Sequence, residues 1–292
     1  MDGAGQVLQI ADSSAVNTNF VSFEQAQRAV LAAVQAVLES AGVQGSAVSI
    51  FVSALVGPEF GAETFGKLCP RVVYRKYSEL RVVFARAGIY RPHGVGVVAA
   101  TGATTWGVRA DDAREVTLGG WGALLGDEGS AYALGLLGLR GAVRAFEQRS
   151  TVPTRLVEAV CEYFGLTLEN FHEELISRAY QTPWSRTEIA NVAAVVTKLA
   201  AQADPLALRI TTKVAQDLAE LALSAARRLF LTGETFDVVL AGGLINAGEL
   251  ILSPFCQSFL NEYPLAFIQT GREAPAIALG RLALYDLKEE AC

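Results

Sequence analysis

The run Gly119-Gly120-Trp121-Gly122-Ala123-Leu124-Leu125-Gly126-Asp127-Glu128-Gly129-Ser130 places five glycines within twelve residues, around one indole and two adjacent acids. Neither a regular helix nor a regular strand uses glycine at that density. Each glycine loses extra backbone entropy on folding, so the cluster implies positive φ angles or backbone drawn close to another group. A ligand is the leading candidate for that group. After Ser130 the sequence turns helical, which puts Asp127 and Glu128 near a helix start, where the macrodipole favours negative charge. A loop followed by a capped helix is the alternative account of the same residues.

The chain of 292 residues is long enough for two domains, and 51% hydrophobic residues can fill sizeable cores. Its formal charge of -6, from 24 basic and 30 acidic residues without a long basic run, gives no footing for nucleic acid. The opening Met1-Asp2-Gly3-Ala4-Gly5 has neither a charged leader nor an apolar core, and no apolar run approaches the ~20 residues that span a bilayer. A soluble cytoplasmic protein without membrane contact is expected. Cys69, Cys161, Cys256 and Cys292 lie far apart, and His93 and His172 stand alone, so no disulfide framework, cluster or zinc site is expected. Buried free thiols are the expectation for the three internal cysteines.

Gly5 to Ala11 reads as a strand and Ser22 to Glu39 as an amphipathic helix opened by a Ser22/Gln25 capping box. Strands at Val48 to Leu55 and Arg71 to Tyr74 alternate with helices at Glu59 to Lys67 and Ser78 to Ala87, which predicts an α/β layer. A second strand set follows, at Val95 to Ala100, Thr105 to Arg109 and Glu115 to Leu118. From Ser130 to about Thr232 the pattern is helical, and Asp204-Pro205 reads as an N-cap with proline at the first helical position. Val238 to Ala241 is a strand ending in Gly242-Gly243, followed by a helix near Ala247 to Asn261, a strand near Leu265 to Ile268 and a last helix from Ala274. Two α/β lobes, the second with a helical insertion, are the simplest architecture. The lobes are expected at 1–99, completed by the C-terminal helix 274–292, and at 100–273.

Two further segments can carry chemistry. Thr101-Gly102-Ala103-Thr104 joins two strands in a turn whose N–H groups and hydroxyls can cradle phosphate oxygens. Ala241-Gly242-Gly243, with Asn246 beyond, lets backbone approach a flat ligand or phosphate at a helix start. Ordinary tight turns account equally for either segment alone.

Taken in order, these segments resemble the N-acetylglucosamine kinase and BadF/BadG/BcrA/BcrD ATPase family of the actin and hexokinase superfamily, over nearly the whole chain. Gly119 to Tyr132 is similar to that family's GGWGxxxGDEGSAY signature, Ala100-Thr101-Gly102-Ala103 to its GTGS phosphate loop, and Ala203-Asp204-Pro205-Leu206 to its GDPLA segment. Leu240-Ala241-Gly242-Gly243 resembles its adenosine-side glycines, and Ala274 to Gly280 its closing PPAIGA. The resemblance implies two ribonuclease-H-like lobes of the actin-like ATPase fold, closing over ATP, Mg2+ and an amino sugar. It places Asn19, within an STN-like segment, together with Thr101, Gly120, Trp121, Gly122 and Asp127, on the sugar. Trp121 would be a flat apolar wall and Asp127 an acceptor of ring hydroxyls, against the alternatives of a core indole and a helix-start acid. Thr101 to Thr104, Ala241 to Gly243 and Asn246 fall to ATP. A homodimer is a further expectation of the family.

Three departures accompany the resemblance. The family's DGGGT phosphate loop is absent, and Gly5-Gln6-Val7-Leu8 looks like its second strand. Lobe I is therefore expected without its first strand, with Met1 an internal methionine or a misplaced start. No Asp stands where the family has its general base; Glu79 is the best match by spacing, and its extra methylene moves the carboxylate by about 1 Å, a misplacement that can cost about 100-fold in rate. A first-turn helix acid is the plainer account of Glu79. Ala100 and Ala103 replace a Gly and a Ser of the phosphate loop, removing one hydroxyl. The reading is an ATP-dependent kinase of N-acetylglucosamine, forming its 6-phosphate, or of a close relative; the alternative is a binding protein or sensor of the same fold that has lost transfer. The family's activators of radical dehydratases would need cluster-binding cysteines, which these four do not supply.

Overall fold

Val95, Val97 and Ala99 are fully buried on a strand whose alternate residues include Gly94 and Gly96, a pattern that requires cover on its side-chain face. A computed structural model of the chain describes residues 1–13, 21–54, 62–181 and 184–290 and places that strand at the centre of a sheet. The chain divides into two compact units, Met1–Tyr90 with Gly271–Cys292, and Arg91–Thr270. The division falls before residue 99 because the strand at Gly94–Ala99 pairs within the second unit.

In the first unit, α1 (Phe23–Ala41) opens with the reciprocal Ser22/Gln25 capping box and ends on Gly42 in the left-handed region. β1 (Ile50–Ser53), α2 (Ala62–Phe65), β2 (Val73–Lys76) and α3 (Glu79–Ala85) follow. β1 and β2 form a two-stranded parallel sheet. Phe65 is fully buried with Ala26 and Val30 beneath Phe51 and Tyr74. The residues expected as a strand from Gly5 to Ala11 have no regular structure: Asp2 Oδ1 accepts the N–H groups of Ala4 and Gln6, closing a turn, and Leu8 and Ile10 are exposed. Alternating side chains without a partner strand do not hold an extended segment in a sheet.

The second unit runs β3 (Gly94–Ala99), β4 (Ala103–Arg109), β5 (Arg114–Gly119), α4 (Ala131–Phe146), α5 (Leu156–Phe164), α6 (Phe171–Ile176), α7 (Arg186–Asn191), α8 (Ala193–Ala201), α9 (Pro205–Leu229), β6 (Asp237–Ala241), α10 (Glu249–Leu260) and β7 (Phe267–Thr270). Its five strands lie in the order β5-β4-β3-β6-β7. β3, β6 and β7 are parallel neighbours, whereas β4 runs against both β3 and β5. Val95, Val97, Val238 and Leu240 share one core with Leu218, Ala219, Ala222 and Ala226 of α9. The 25-residue α9 starts as the sequence dictates, with Asp204 capping Ala207 N–H and Pro205 in the first turn. Asp204 is buried and its carboxylate also accepts the Thr154 hydroxyl and the Arg155 N–H, so it ties the start of α5 to α9.

The chain then returns to the first unit as α11 (Pro275–Glu290), whose Ala278, Leu282 and Ala283 pack with Tyr77, Val82 and Ala85. Cys69 and Cys161 are buried and Cys256 half-buried; all three are free, and burial raises each thiol above its ordinary pKa. Among the described residues no helix is long and apolar enough to cross a membrane.

Candidate active site

Strand polarity brings the expected segments of the second unit to one edge. β3 and β6 run parallel, with Val98 opposite Ala241, so the turn after Ala99 and the turn after Ala241 leave the same end of the sheet. A side chain on Gly242, at φ 111, would overlap the Ala99 carbonyl. β5 runs parallel to β3 through two antiparallel pairings and ends with Gly119 opposite Thr104. The glycine run therefore leaves from the same end. Carboxyl ends of parallel strands are where open α/β sheets usually bind ligands.

The Thr101 turn is closed by Ala100 N–H on the Gly102 carbonyl, 2.9 Å, and is joined to α4 by Ala131 N–H on Ala100 O, 2.9 Å, and Tyr132 N–H on Thr101 O, 3.3 Å. Ser130 caps α4 by accepting Ala133 N–H. The first amides of α4 are thus committed to protein oxygens, and the sequence argument that the two acids answer this helix's dipole is replaced by another contact. Asp127 stands at φ 65, a left-handed conformation that Asp tolerates better than most residues. Its Oδ1 accepts the Ala103 N–H at 3.2 Å and its Oδ2 accepts from Arg186 Nη2. The carboxylate is 1% exposed and the Arg186 side chain 27%. Gly102 lies against this pair: a Cβ there would stand 2.7 Å from Asp127 Oδ1 and collide with the guanidinium.

In the glycine run, Gly119, Gly120, Gly122 and Gly129 all have positive φ. Gly129 is also crowded, with α9 backbone at Leu218 only 2.7 Å from where a Cβ would sit, whereas Gly122 faces open space. Gly120 N–H donates to Ala103 O at 2.9 Å, fastening the run to β4. Trp121 is 73% exposed and Leu124 and Leu125 beside it are exposed too, which excludes the core account of this indole. On the other turn, Leu244 and Ile245 are buried in a short 3-10 segment, while Gly243 and Asn246 are exposed. That segment links the paired glycines to α10, which at Glu249–Leu260 forms the helix expected near Ala247 to Asn261.

Thr101, Gly102, Thr104, Gly120, Trp121, Gly122, Asp127, Ala241, Gly242, Gly243 and Asn246 accordingly belong to one end of one sheet. Ala103 differs from its expected role: its N–H is taken by Asp127 and its side chain is buried in the core. Glu79 belongs to the first unit, exposed in the first turn of α3 behind the Ser78 cap. Asn19 lies outside the described residues. Sequence reasoning missed Arg186, which reaches Asp127 across 59 positions. The local signal was present in Ser185-Arg186-Thr187-Glu188, a capping box that sets Arg186 at the first position of α7. Among the described residues no three His, Cys, Asp or Glu side chains are grouped to hold a metal ion.

Solved structures share the fold. A provisionally named N-acetylglucosamine kinase from Chromobacterium violaceum superposes with a TM-score of 0.66 at 21% identity, over 93% of this chain and 88% of that one. A second such protein, from Porphyromonas gingivalis, gives 0.67 at 17% identity, over 94% and 90%. A ROK family glucokinase from Streptomyces griseus, solved with glucose and AMPPNP, gives 0.54 at 14% identity, over 90% and 87%. The architecture is therefore that of the actin-like ATPase fold used by sugar kinases. By its sequence match over residues 1–262, the chain belongs to the BadF/BadG/BcrA/BcrD ATPase family.

Among curated relatives, an N-acetylmuramic acid/N-acetylglucosamine kinase from Clostridium acetobutylicum is 30% identical over 178 residues, 61% of this chain and 56% of the relative. An N-acetyl-D-glucosamine kinase from Dictyostelium discoideum is 30% identical over 197 residues, 67% of this chain and 60% of the relative. The matches thus span rather more than half the length of these relatives.

Proposed function

We propose that this protein is an ATP-dependent kinase that transfers the γ-phosphoryl group to a hydroxyl of an amino sugar, N-acetylglucosamine at its 6-position or a close relative, in the cytoplasm. One observation carries the reading: the turns after β3, β5 and β6 lie at one end of one sheet, and Asp127, from the glycine run after β5, hydrogen-bonds Ala103 at the end of the turn after β3. The names of the relatives support the substrate class. In this reading Thr101, Gly102 and Thr104 meet the phosphates through backbone and hydroxyl groups. The exposed Gly243 and Asn246, with Ala241 and Gly242 behind them, leave backbone open to the nucleoside.

The glycine run supplies the acceptor side. Gly120 and Gly122 give a backbone wall without side chains, Trp121 an exposed ring face, and Asp127 a fixed acid; each carboxylate oxygen that already accepts one hydrogen bond keeps a second lone pair for a hydroxyl. Asn19 completes the acceptor set. Glu79 is the proposed base: it takes the proton as the acceptor oxygen bonds to the γ-phosphorus and the bond to ADP breaks. Mg2+ in this reading would come in on the nucleotide's phosphates. Such an ion offsets phosphate charge.

A coupled assay of ADP release tests the proposal. Release dependent on N-acetylglucosamine, and much weaker with glucose, is the expected result. Tight sugar binding without turnover would reject the kinase in favour of a sensor of the same fold.

A further inference from the structure

Resting on the amino-sugar reading, we infer that Arg186 is a positioning residue for the acceptor side of the site and acts through Asp127. Two features fix where its guanidinium goes. Ser185 and Glu188 cap α7 reciprocally, with Ser185 Oγ accepting the Glu188 N–H at 3.2 Å and Glu188 Oε2 accepting the Ser185 N–H at 2.8 Å, which locks Arg186 at the helix start. Gly135 then lets α7 lie flush on α4, because a side chain there would overlap the Ile189 carbonyl. α4 is itself bonded to the Thr101 turn through the Ala131 and Tyr132 amides. The helical insertion and the turn are thereby held to one geometry, and Arg186 closes the circuit on Asp127 Oδ2.

Charge and burial say what the contact does. A carboxylate that is 1% exposed takes its orientation from the groups that pair and hydrogen-bond with it. Ala103 N–H supplies one bond, and Arg186 the other bond together with the countercharge. Without Arg186, Asp127 in its left-handed backbone conformation retains one partner, and its free oxygen is no longer aimed. The loss should fall on the sugar far more than on ATP: the Thr101 turn keeps its bonds to α4 and the Ala103 N–H keeps Asp127 Oδ1, while the Ala241 to Asn246 turn has no part in the contact.

The test is a double-mutant cycle on the full chain, read in sugar and ATP kinetics. Arg186→Met is expected to raise KM for N-acetylglucosamine roughly ten- to a hundredfold, the scale of a misplaced binding group, with KM for ATP within about twofold. Arg186→Lys keeps the charge without the planar fork, should fold normally, and should recover part of the loss. In an Asp127→Asn background, Arg186→Met should add almost nothing, because the group it positions is already gone. Fully additive losses, or equal rises in both KM values, would overturn the inference while leaving the kinase reading in place. A wild-type chain that phosphorylates no amino sugar would overturn both.

Discussion

Gly129 and Gly122 have nearly the same backbone angle, φ 78 and φ 81, so replacing each with alanine separates conformational strain from crowding. A left-handed non-glycine residue costs about 1–2 kcal/mol, partly offset by the ~0.4–1 kcal/mol that alanine gains by restricting the unfolded chain. Gly122→Ala meets no atom within 4 Å and should lose about 1 kcal/mol or less. Gly129→Ala adds a methyl at 2.7 Å from the Leu218 N, Cα and Cβ atoms, on a helix whose Leu218 is fully buried. Backbone of a core helix does not yield as a flexible side-chain tip would, so overpacking of about 1–3 kcal/mol is added. At roughly 3 °C per kcal/mol for a unit of this size, calorimetry should show the second unit melting about 3–12 °C lower for Gly129→Ala, and in every case lower by at least about 3 °C than Gly122→Ala, whose own shift is about 3 °C or less. Equal shifts would refute the claim that the glycine run is pressed against α9 at Gly129.

Glu79→Gln should lower kcat by about 100-fold or more with little change in either KM, the usual worth of a general base, and unchanged turnover would remove Glu79 from that role. Asp204→Ala removes the α9 cap and leaves the Thr154 hydroxyl and Arg155 N–H without their acceptor, so urea titration should show a loss of about 2–4 kcal/mol; a loss below about 0.5 kcal/mol would contradict the network. The Arg109 guanidinium holds the Glu234 carboxyl below its ordinary pKa, helped by the Leu231 N–H. A depressed carboxyl stabilises the fold above its unfolded value, and that stability is lost as pH falls through the folded one. The melting-temperature gap between wild type and Glu234→Gln should therefore be present at neutral pH and close below about pH 4, the ordinary Glu range. A gap that is constant with pH would argue against the ion pair.

What the sequence made legible was local. The Ser22/Gln25 box and the Asp204-Pro205 cap each involve residues within a few positions of one another, and both formed as read. The strand-turn-strand around Thr101 was equally clear, because glycine and alternating apolar residues announce it. Gly5 to Ala11 was misread because a period of two records which residues alternate and not whether a partner strand is present. The positive φ angles of the glycine run were legible from its glycine density, whereas the sequence left Trp121 open between a wall and a core indole and only the structure shows it exposed. Asp127 was read as a candidate site acid, but its partners could not be read, since Ala103 and Arg186 lie 24 and 59 positions away. The first position of α7 was legible and its destination was not.

The central claim is phosphoryl transfer to an amino sugar, and mass spectrometry of the sugar after incubation with ATP and Mg2+ tests it most directly. The account predicts N-acetylglucosamine carrying one added phosphoryl group, formed in equal amount to ADP. ADP formed at the same rate without sugar, or sugar recovered unmodified while bound, would contradict it.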